Sequence, residues 1–60
     1  EQIINFIKKE KEVQVVEVVF EFSKKYNIFV EYLIKQLIED KKIKVLESDE
    51  IFSKNIVGLS

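Results

Sequence analysis

The sequence predicts a small α+β domain with three helices, one short strand and a small two-stranded hairpin. Apolar residues recur at helical spacing in three segments, and polar and apolar residues alternate in two short runs. Apolar side chains make up 47% of the chain and charged side chains 35%, and 60 residues enclose one hydrophobic core at most. We therefore expect a single domain over residues 1–60. Since the chain begins without Met, we also expect it to be part of a longer protein.

The first ten residues are predicted to form a short amphipathic helix. Ile3, Ile4 and Ile7 follow the i, i+1, i+4 spacing of one helix face. Lys8 and Lys9 follow them, where the negative end of the helix dipole favours positive charge.

Residues 12–25 carry two competing patterns. The valines of this stretch favour a strand, whereas its apolar stripe has helical spacing with charges on the opposite face. We predict a strand at residues 13–15, followed by a helix to about Lys25 that ends at Asn27, because Asn tolerates left-handed backbone. One continuous strand is the alternative. The stripe assigned to the core consists of Val15, Val18, Val19 and Phe22.

Residues 28–41 are predicted to form the third helix. Glu31, Lys35 and Glu39 line one face at intervals of four residues. An apolar stripe follows another face, and we assign its leucines to the core. The stripe consists of Val30, Leu33, Ile34, Leu37 and Ile38.

The remaining residues predict the hairpin. Residues 43–45 alternate in polarity, and an acidic run then leads to a second apolar pair, Ile51 and Phe52. We expect these two segments to be the paired strands, with a short acidic tip between them. Residues 55–60 either pair as an edge segment or fray.

This order of elements resembles the winged-helix branch of the helix-turn-helix folds over almost the whole chain. The segment DKKIKV at residues 40–45 is similar to the charged turn and apolar strand that follow the third helix in that family, and the resemblance implies core positions at Leu33, Leu37 and Ile43. It also implies one of two functions. Some members read DNA through the third helix and the wing; others dock proteins, at the ends of cullins, in proteasome-lid subunits and in archaeal division proteins of the ESCRT class. The acidic hairpin tip makes this chain more similar in charge to the docking group.

The composition excludes several kinds of chemistry. Without Cys or His, the chain has neither the usual ligands of structural zinc nor the imidazole base of a catalytic triad. All ten basic residues are Lys, so bidentate guanidinium contacts to guanine or phosphate are excluded. The formal net charge is −1, without the basic excess typical of nucleic-acid modules. We expect a protein that is not an enzyme and that uses no cofactor and no metal.

The carboxylates and the chain ends suggest no further site. Glu47, Asp49 and Glu50 lack the spacing of a calcium loop, and Glu17 and Glu21 lie on one helix face without a partner base. We interpret both groups as solvated charge. The sequence shows neither a targeting signature nor an apolar run of membrane-spanning length, and we expect a cytoplasmic or nuclear protein.

A three-helix core of this size does not accommodate all the large apolar residues, so some of those outside the main stripes must be exposed. These residues are Phe6, Val16, Phe20, Phe29, Tyr32 and Ile38. Val16 and Phe20 are neighbours at i and i+4 on the second helix, and Tyr32 stands apart from the leucines of the third. We expect an exposed patch that binds another protein or a peptide segment, in an apolar groove or by strand addition. The alternative is that short helices bury a wider arc. The candidate partner-binding residues are Phe20, Tyr32, Val16 and Ile38.

DNA binding is the alternative function. Lys24, Lys25, Lys41 and Lys42 lie near the two ends of the third helix and are the candidate phosphate contacts. The simpler interpretation is that lysines at helix ends are solvated.

Overall fold

The computed structural model describes residues 2–60 and confirms the α+β class. Its three helices pack with a three-stranded antiparallel sheet, and one turn of 3₁₀ helix lies between the last two strands. The elements are α1 (Gln2–Glu10), β1 (Glu12–Gln14), α2 (Val15–Phe22), α3 (Ile28–Glu39), β2 (Ile43–Glu47), the 3₁₀ turn (Phe52–Lys54) and β3 (Ile56–Leu59).

The helical interpretation of the valine-rich segment is correct, and the continuous strand is wrong. Helix α2 begins at Val15 and ends at Phe22, three residues before the predicted end. It ends there because the next residue, Ser23, has extended backbone, with φ −150° and ψ 149°. Three of the four predicted core residues in this stripe are fully buried, namely Val15, Val18 and Val19.

Asn27 does not end α2 but caps the start of α3. Its backbone is extended, with φ −127°, and its side-chain Oδ1 accepts hydrogen bonds from the backbone N–H groups of Phe29 at 2.8 Å and Val30 at 3.4 Å. These bonds satisfy donors that have no partner within the helix. The left-handed residues are Lys11 and Lys41, with φ 70° and 61°, each at the C-terminal end of a helix.

The hairpin prediction placed its second strand wrongly. Ile51 and Phe52 lie in the connection that follows β2, and the strand that pairs with β2 is Ile56–Leu59. This strand β3 lies between β1 and β2 and is antiparallel to both, so the segment predicted to be an edge or to fray is central. The reason is burial, because the side chain of Val57 is inaccessible to solvent whereas Ile51 is exposed.

The connection between β2 and β3 is longer than the short acidic tip that was predicted. Asn55, which is buried, holds it to the rest of the domain. The Asn55 side-chain Oδ1 accepts a hydrogen bond from the backbone N–H of Asp49 at 2.6 Å, and its carbonyl accepts one from the N–H of Val15 at 2.9 Å. The connection is thereby tied to the start of α2.

One core joins the three helices to one face of the sheet. Leu37 belongs to it as predicted, but the assignment of Leu33 to the core is wrong, because α3 packs along its Ile34 and Leu37 side and leaves Leu33 half exposed. Phe22 lies at the edge of the core, with its ring edge-on to that of Phe6 at 6.0 Å between centroids. The core consists of Ile3, Ile7, Val13, Val15, Val18, Val19, Ile34, Leu37, Ile43 and Val57.

Candidate functional site

The outward side of α3 carries four large apolar side chains that remain in contact with solvent. Ile28, Phe29, Tyr32 and Leu33 are 71%, 76%, 58% and 49% exposed. Since a helix turns about 100° per residue, residues at i, i+1, i+4 and i+5 share one side, and Leu33 lies at its edge, next to the buried Leu37. We call these four residues the α3 face.

An open apolar groove adjoins the α3 face. It has a volume of about 400 Å³ and is lined by Gln2 and Ile3 at the start of α1, Phe22 at the end of α2, and Val30 and Leu33 on α3. Only Gln2 among these residues is polar. Because Leu33 belongs to both the groove and the α3 face, the two form one continuous apolar surface.

The other edge of α3 carries a chain of polar and aromatic contacts. The Tyr26 hydroxyl donates a hydrogen bond to Oε2 of Glu31, and Oε1 of Glu31 lies 3.3 Å from Nζ of Lys35. That Nζ lies 4.9 Å from the centre of the Phe52 ring, a cation–π distance. The Tyr26 ring also packs edge-on against Phe20, with 6.3 Å between centroids. The one lysine within α3 is therefore held by contacts inside the domain.

Tyr26 retains its proton in this environment. Removal of water around the phenol, the hydrogen bond to Glu31 and the Glu31 charge together raise the pKa of Tyr26 from 10.0 to about 12, while the Ser53 hydroxyl opposes this shift. The neutral phenol is the form that donates to the Glu31 carboxylate. Tyr26 therefore links the turn before α3 to the helix itself.

The structure places the four candidate partner-binding residues in three locations. Tyr32 lies in the α3 face, and Phe20 is half exposed beside Tyr26. Val16 is half-buried one turn before Phe20 on α2, and Ile38 is half-buried and packs against the core. Tyr32 alone of the four belongs to the continuous apolar surface.

The sequence interpretation identified only part of that surface. Phe29 was among the large apolar residues outside the stripes but not among the candidate partner-binding residues, Ile28 was not singled out, and Leu33 was assigned to the core. A detectable pattern was the apolar excess in α3, where eight of the twelve residues are apolar or aromatic. A helix that packs on one side buries about half of its circumference, so the surplus side chains face outward.

The four candidate phosphate contacts form two separate pairs. Lys24 and Lys25 lie in the turn before α3, Lys41 and Lys42 lie in the turn after it, and all four are exposed. Helix α3, which is about 18 Å long, separates the two pairs. The α3 face lies between them and carries no charge.

The open edges of the sheet are β1 and β2, since β3 lies between them. Strand β1 has three residues and β2 has five, and the register of β2 shifts between Val45 and Glu47. This irregularity at Leu46 is typical of a β-bulge, which interrupts a regular strand edge. Leu46 also lies over Gly58, where a Cβ atom would come within 2.9 Å of its Cδ1.

Comparison with protein-family models, with curated proteins and with solved structures found no match for this chain. Over residues 2–60, no helix combines the length and apolar character needed to cross a membrane. Within that same range, His, Cys, Asp and Glu side chains form no group that could hold a metal ion. Function is therefore argued from the α3 face and the groove beside it.

Proposed function

We propose that this chain is a noncatalytic protein–protein interaction module that docks an amphipathic helix of a partner on the α3 face and in the adjoining groove. The observation that carries the proposal is the exposure of Ile28, Phe29, Tyr32 and Leu33 on one side of one helix. Contiguous exposed apolar surface on a small domain marks an interaction site, and helices dock in grooves through apolar residues spaced three or four positions apart.

The proposal includes membership of the winged-helix folds. Supporting it are the element order α1, β1, α2, α3, β2, β3 and the sheet order β1-β3-β2. In this assignment α3 is the third helix, the element that DNA-reading members place on the duplex. The side chains on its outer side therefore bear directly on the choice between DNA and protein.

The charges around α3 favour protein over DNA. The phosphate backbone attracts clustered cations, but the α3 face has none, and the two lysine pairs lie beyond opposite ends of a helix about 18 Å long. Lys35, within α3, pairs with Glu31 instead. The end of β2 carries Glu47, and the connection after it, which would form the wing, carries Asp49 and Glu50; all three repel phosphate.

The groove is also favoured over strand addition. An added strand needs an extended row of free backbone N–H and C=O groups. The two open strands have three and five residues, and the longer one is interrupted at Leu46. Docking of a partner's amphipathic helix instead requires an exposed apolar ridge beside an apolar groove. The α3 face and its groove provide both.

A capture experiment tests this function. The immobilised chain is exposed to cell extract and compared with Phe29→Ser and Leu33→Ser, and we expect each variant to lose at least about tenfold in retained partner, since interface anchors are worth ~2 kcal/mol or more. The double variant Lys24→Ser/Lys25→Ser is the control and should retain the partner. Circular dichroism should be unchanged in every variant because these side chains are exposed.

A duplex-binding assay tests the alternative function, DNA binding. The same variants are titrated with a random-sequence DNA duplex at low and high salt. DNA binding predicts three results together: the lysine variant loses duplex binding, the parent's affinity for the duplex falls steeply with salt, and the Phe29 and Leu33 variants bind the duplex as the parent does. This outcome would show that the docking proposal is wrong and that the chain is a DNA-binding module.

A further inference from the structure

We infer that the helix docked on the α3 face is the α3 of a second copy of this chain, so that the domain forms a two-fold symmetric dimer. This inference rests on the proposed docking function and names its partner. The two helices run antiparallel about an axis midway between Phe29 and Leu33, so Phe29 of each copy lies beside Leu33 of the other and enters its apolar groove.

The surface is self-complementary, as a two-fold interface requires. A symmetric dimer uses the same patch on both copies, so each ridge must lie beside a matching depression. Phe29, with 76% of its surface exposed, is the ridge, and Leu33, one turn later, lines the groove. A cavity of ~150 Å³ holds a benzene ring, so a groove of about 400 Å³ has room for one phenyl ring.

The exposed apolar area matches what a small dimer needs. A standard interface buries about 800 Å² per partner, of which roughly 65% is apolar in homodimers. With ~200 Å² for a fully exposed large side chain, the measured exposures of the α3 face sum to roughly 500 Å². The face alone therefore supplies the apolar part of such an interface, out of a total molecular surface of 4409 Å².

The charges are compatible with antiparallel packing. The centre of the contact is uncharged, so the two copies bring no like charges together there. Antiparallel helices place the negative C-terminal end of one dipole beside the positive N-terminal end of the other. Antiparallel packing brings Lys41 and Lys42, after α3, towards Lys24 and Lys25, in the turn before the opposing α3. Glu39 and Asp40 lie at the same end of α3 as Lys41 and Lys42 and offset these like charges.

Cysteine crosslinking tests the geometry, because the chain has no Cys of its own. In Tyr32→Cys, one residue from the two-fold axis, the two thiols come within disulfide reach, at a Cα separation below about 7 Å. The control is Ile51→Cys, at a position 54% exposed in the β2–β3 connection. At ~10 μM chain, we expect mild oxidation to crosslink Tyr32→Cys about 100-fold faster than this control, because a dimer gives an effective thiol concentration in the mM range. Equal rates would overturn the inference.

Sedimentation equilibrium tests the association itself. The parent chain should reach twice its monomer mass of 7.2 kDa as concentration rises. Phe29→Ser should raise the dimer dissociation constant at least about tenfold, whereas Ile51→Ser, which removes a comparably exposed apolar side chain elsewhere, should leave it unchanged. Circular dichroism confirms that each variant is folded.

The outcomes separate this inference from the proposed function. A parent chain that stays monomeric up to about 1 mM, the weak limit of specific association, contradicts the dimer. If capture of another protein still depends on Phe29 and Leu33 in that case, the docking function stands without the dimer. If neither self-association nor capture depends on these residues, both proposals are wrong.

Discussion

At the residue scale, position on the helix decides what a side chain contributes. Leu33 and Leu37 are the same residue type, four positions apart on α3. Leu37 is buried in the core, whereas Leu33 is half exposed and lines the groove. The free energy lost on truncation follows the contacts removed, so the two leucines should differ in stability and in function.

Truncation of each leucine tests this difference. Leu37→Ala should lower the free energy of unfolding by ~2–5 kcal/mol, and Leu33→Ala by about 1 kcal/mol or less, because only the first leaves a cavity in the core. Urea unfolding followed by circular dichroism measures both. Equal losses would mean that α3 packs on a different side.

Ionisation of Tyr26 should lower the free energy of unfolding at high pH. Loss of water around its phenol, followed by the hydrogen bond to and charge of Glu31, raises the pKa of Tyr26 from 10.0 in a free tyrosine to about 12. As the pH rises, the unfolded chain therefore loses the Tyr26 proton before the folded chain does. The stabilisation that the protonated Tyr26 gives the fold is complete below pH 10 and is lost as the pH rises towards 12. Urea unfolding at a series of pH values should show the advantage of the parent over Tyr26→Phe shrinking across this range.

The matched control for Tyr26 is the other tyrosine. Tyr32→Phe keeps the Tyr26–Glu31 contact, so its free energy of unfolding should follow the parent's pH dependence. If the free energies of unfolding of Tyr26→Phe and the parent differ by the same amount at pH 10 and pH 12, the raised pKa of Tyr26 is wrong.

At the element scale, helical periodicity predicted the helices, but their ends depended on local hydrogen bonds. Val15, Val18 and Val19 favour a strand by propensity, yet all three are buried together on one side of a helix. The free energy gained by burying these three side chains together exceeds the cost of placing valine in a helix, which is less than about 1 kcal/mol per residue. The end of α2 and the start of α3 depend instead on Ser23 and Asn27, which the apolar pattern does not encode.

The cap at Asn27 can be tested directly. Asn27→Ala removes the acceptor for the N–H groups of Phe29 and Val30 and should lower the free energy of unfolding by ~1 kcal/mol. Asn27→Ser, which retains a capping oxygen, should be close to the parent. Urea unfolding of the three proteins distinguishes them, and an alanine variant as stable as the serine variant would show that the side chain does not cap α3.

At the scale of the whole molecule, the C-terminal residues hold the sheet together. Strand β3 pairs with β1 on one side and β2 on the other, and Val57 contributes a fully buried side chain to the core. These pairings place Glu12 opposite Gly58 and Ile43 opposite Leu59. Formation of the sheet therefore requires contacts far apart in sequence.

Removal of β3 should unfold the domain. A chain that ends at Asn55 loses both strand pairings and Val57, and a domain of this size has only a few kcal/mol of net stability. We expect its circular dichroism to lose the cooperative thermal transition. Deletion of Ser60 alone, which follows β3, is the control and should leave that transition in place. A cooperative transition in the shorter chain would contradict the central role of β3.

The sequence by itself determined the α+β class, the three helices and most of the core. Ile3, Ile7 and Leu37 could be assigned from spacing because a helix repeats every 3.6 residues and one side must be apolar. The approximate position of β1 and the start of β2 at Ile43 followed from alternation of polar and apolar residues.

Only the tertiary structure decided which apolar residues stay outside. Ile51 and Val57 have similar side chains near the C-terminus, but pairing on both sides of β3 buries one while the connection exposes the other. Likewise, α3 has more apolar residues than one side can bury, and the rotation of the helix on the core selects Ile34 over Leu33. The periodicity of apolar residues predicts which side of a helix is buried, but it does not distinguish between neighbouring positions at the edge of that side. Packing of α3 against the other elements fixes its rotation about its own axis and so decides which residues form the α3 face.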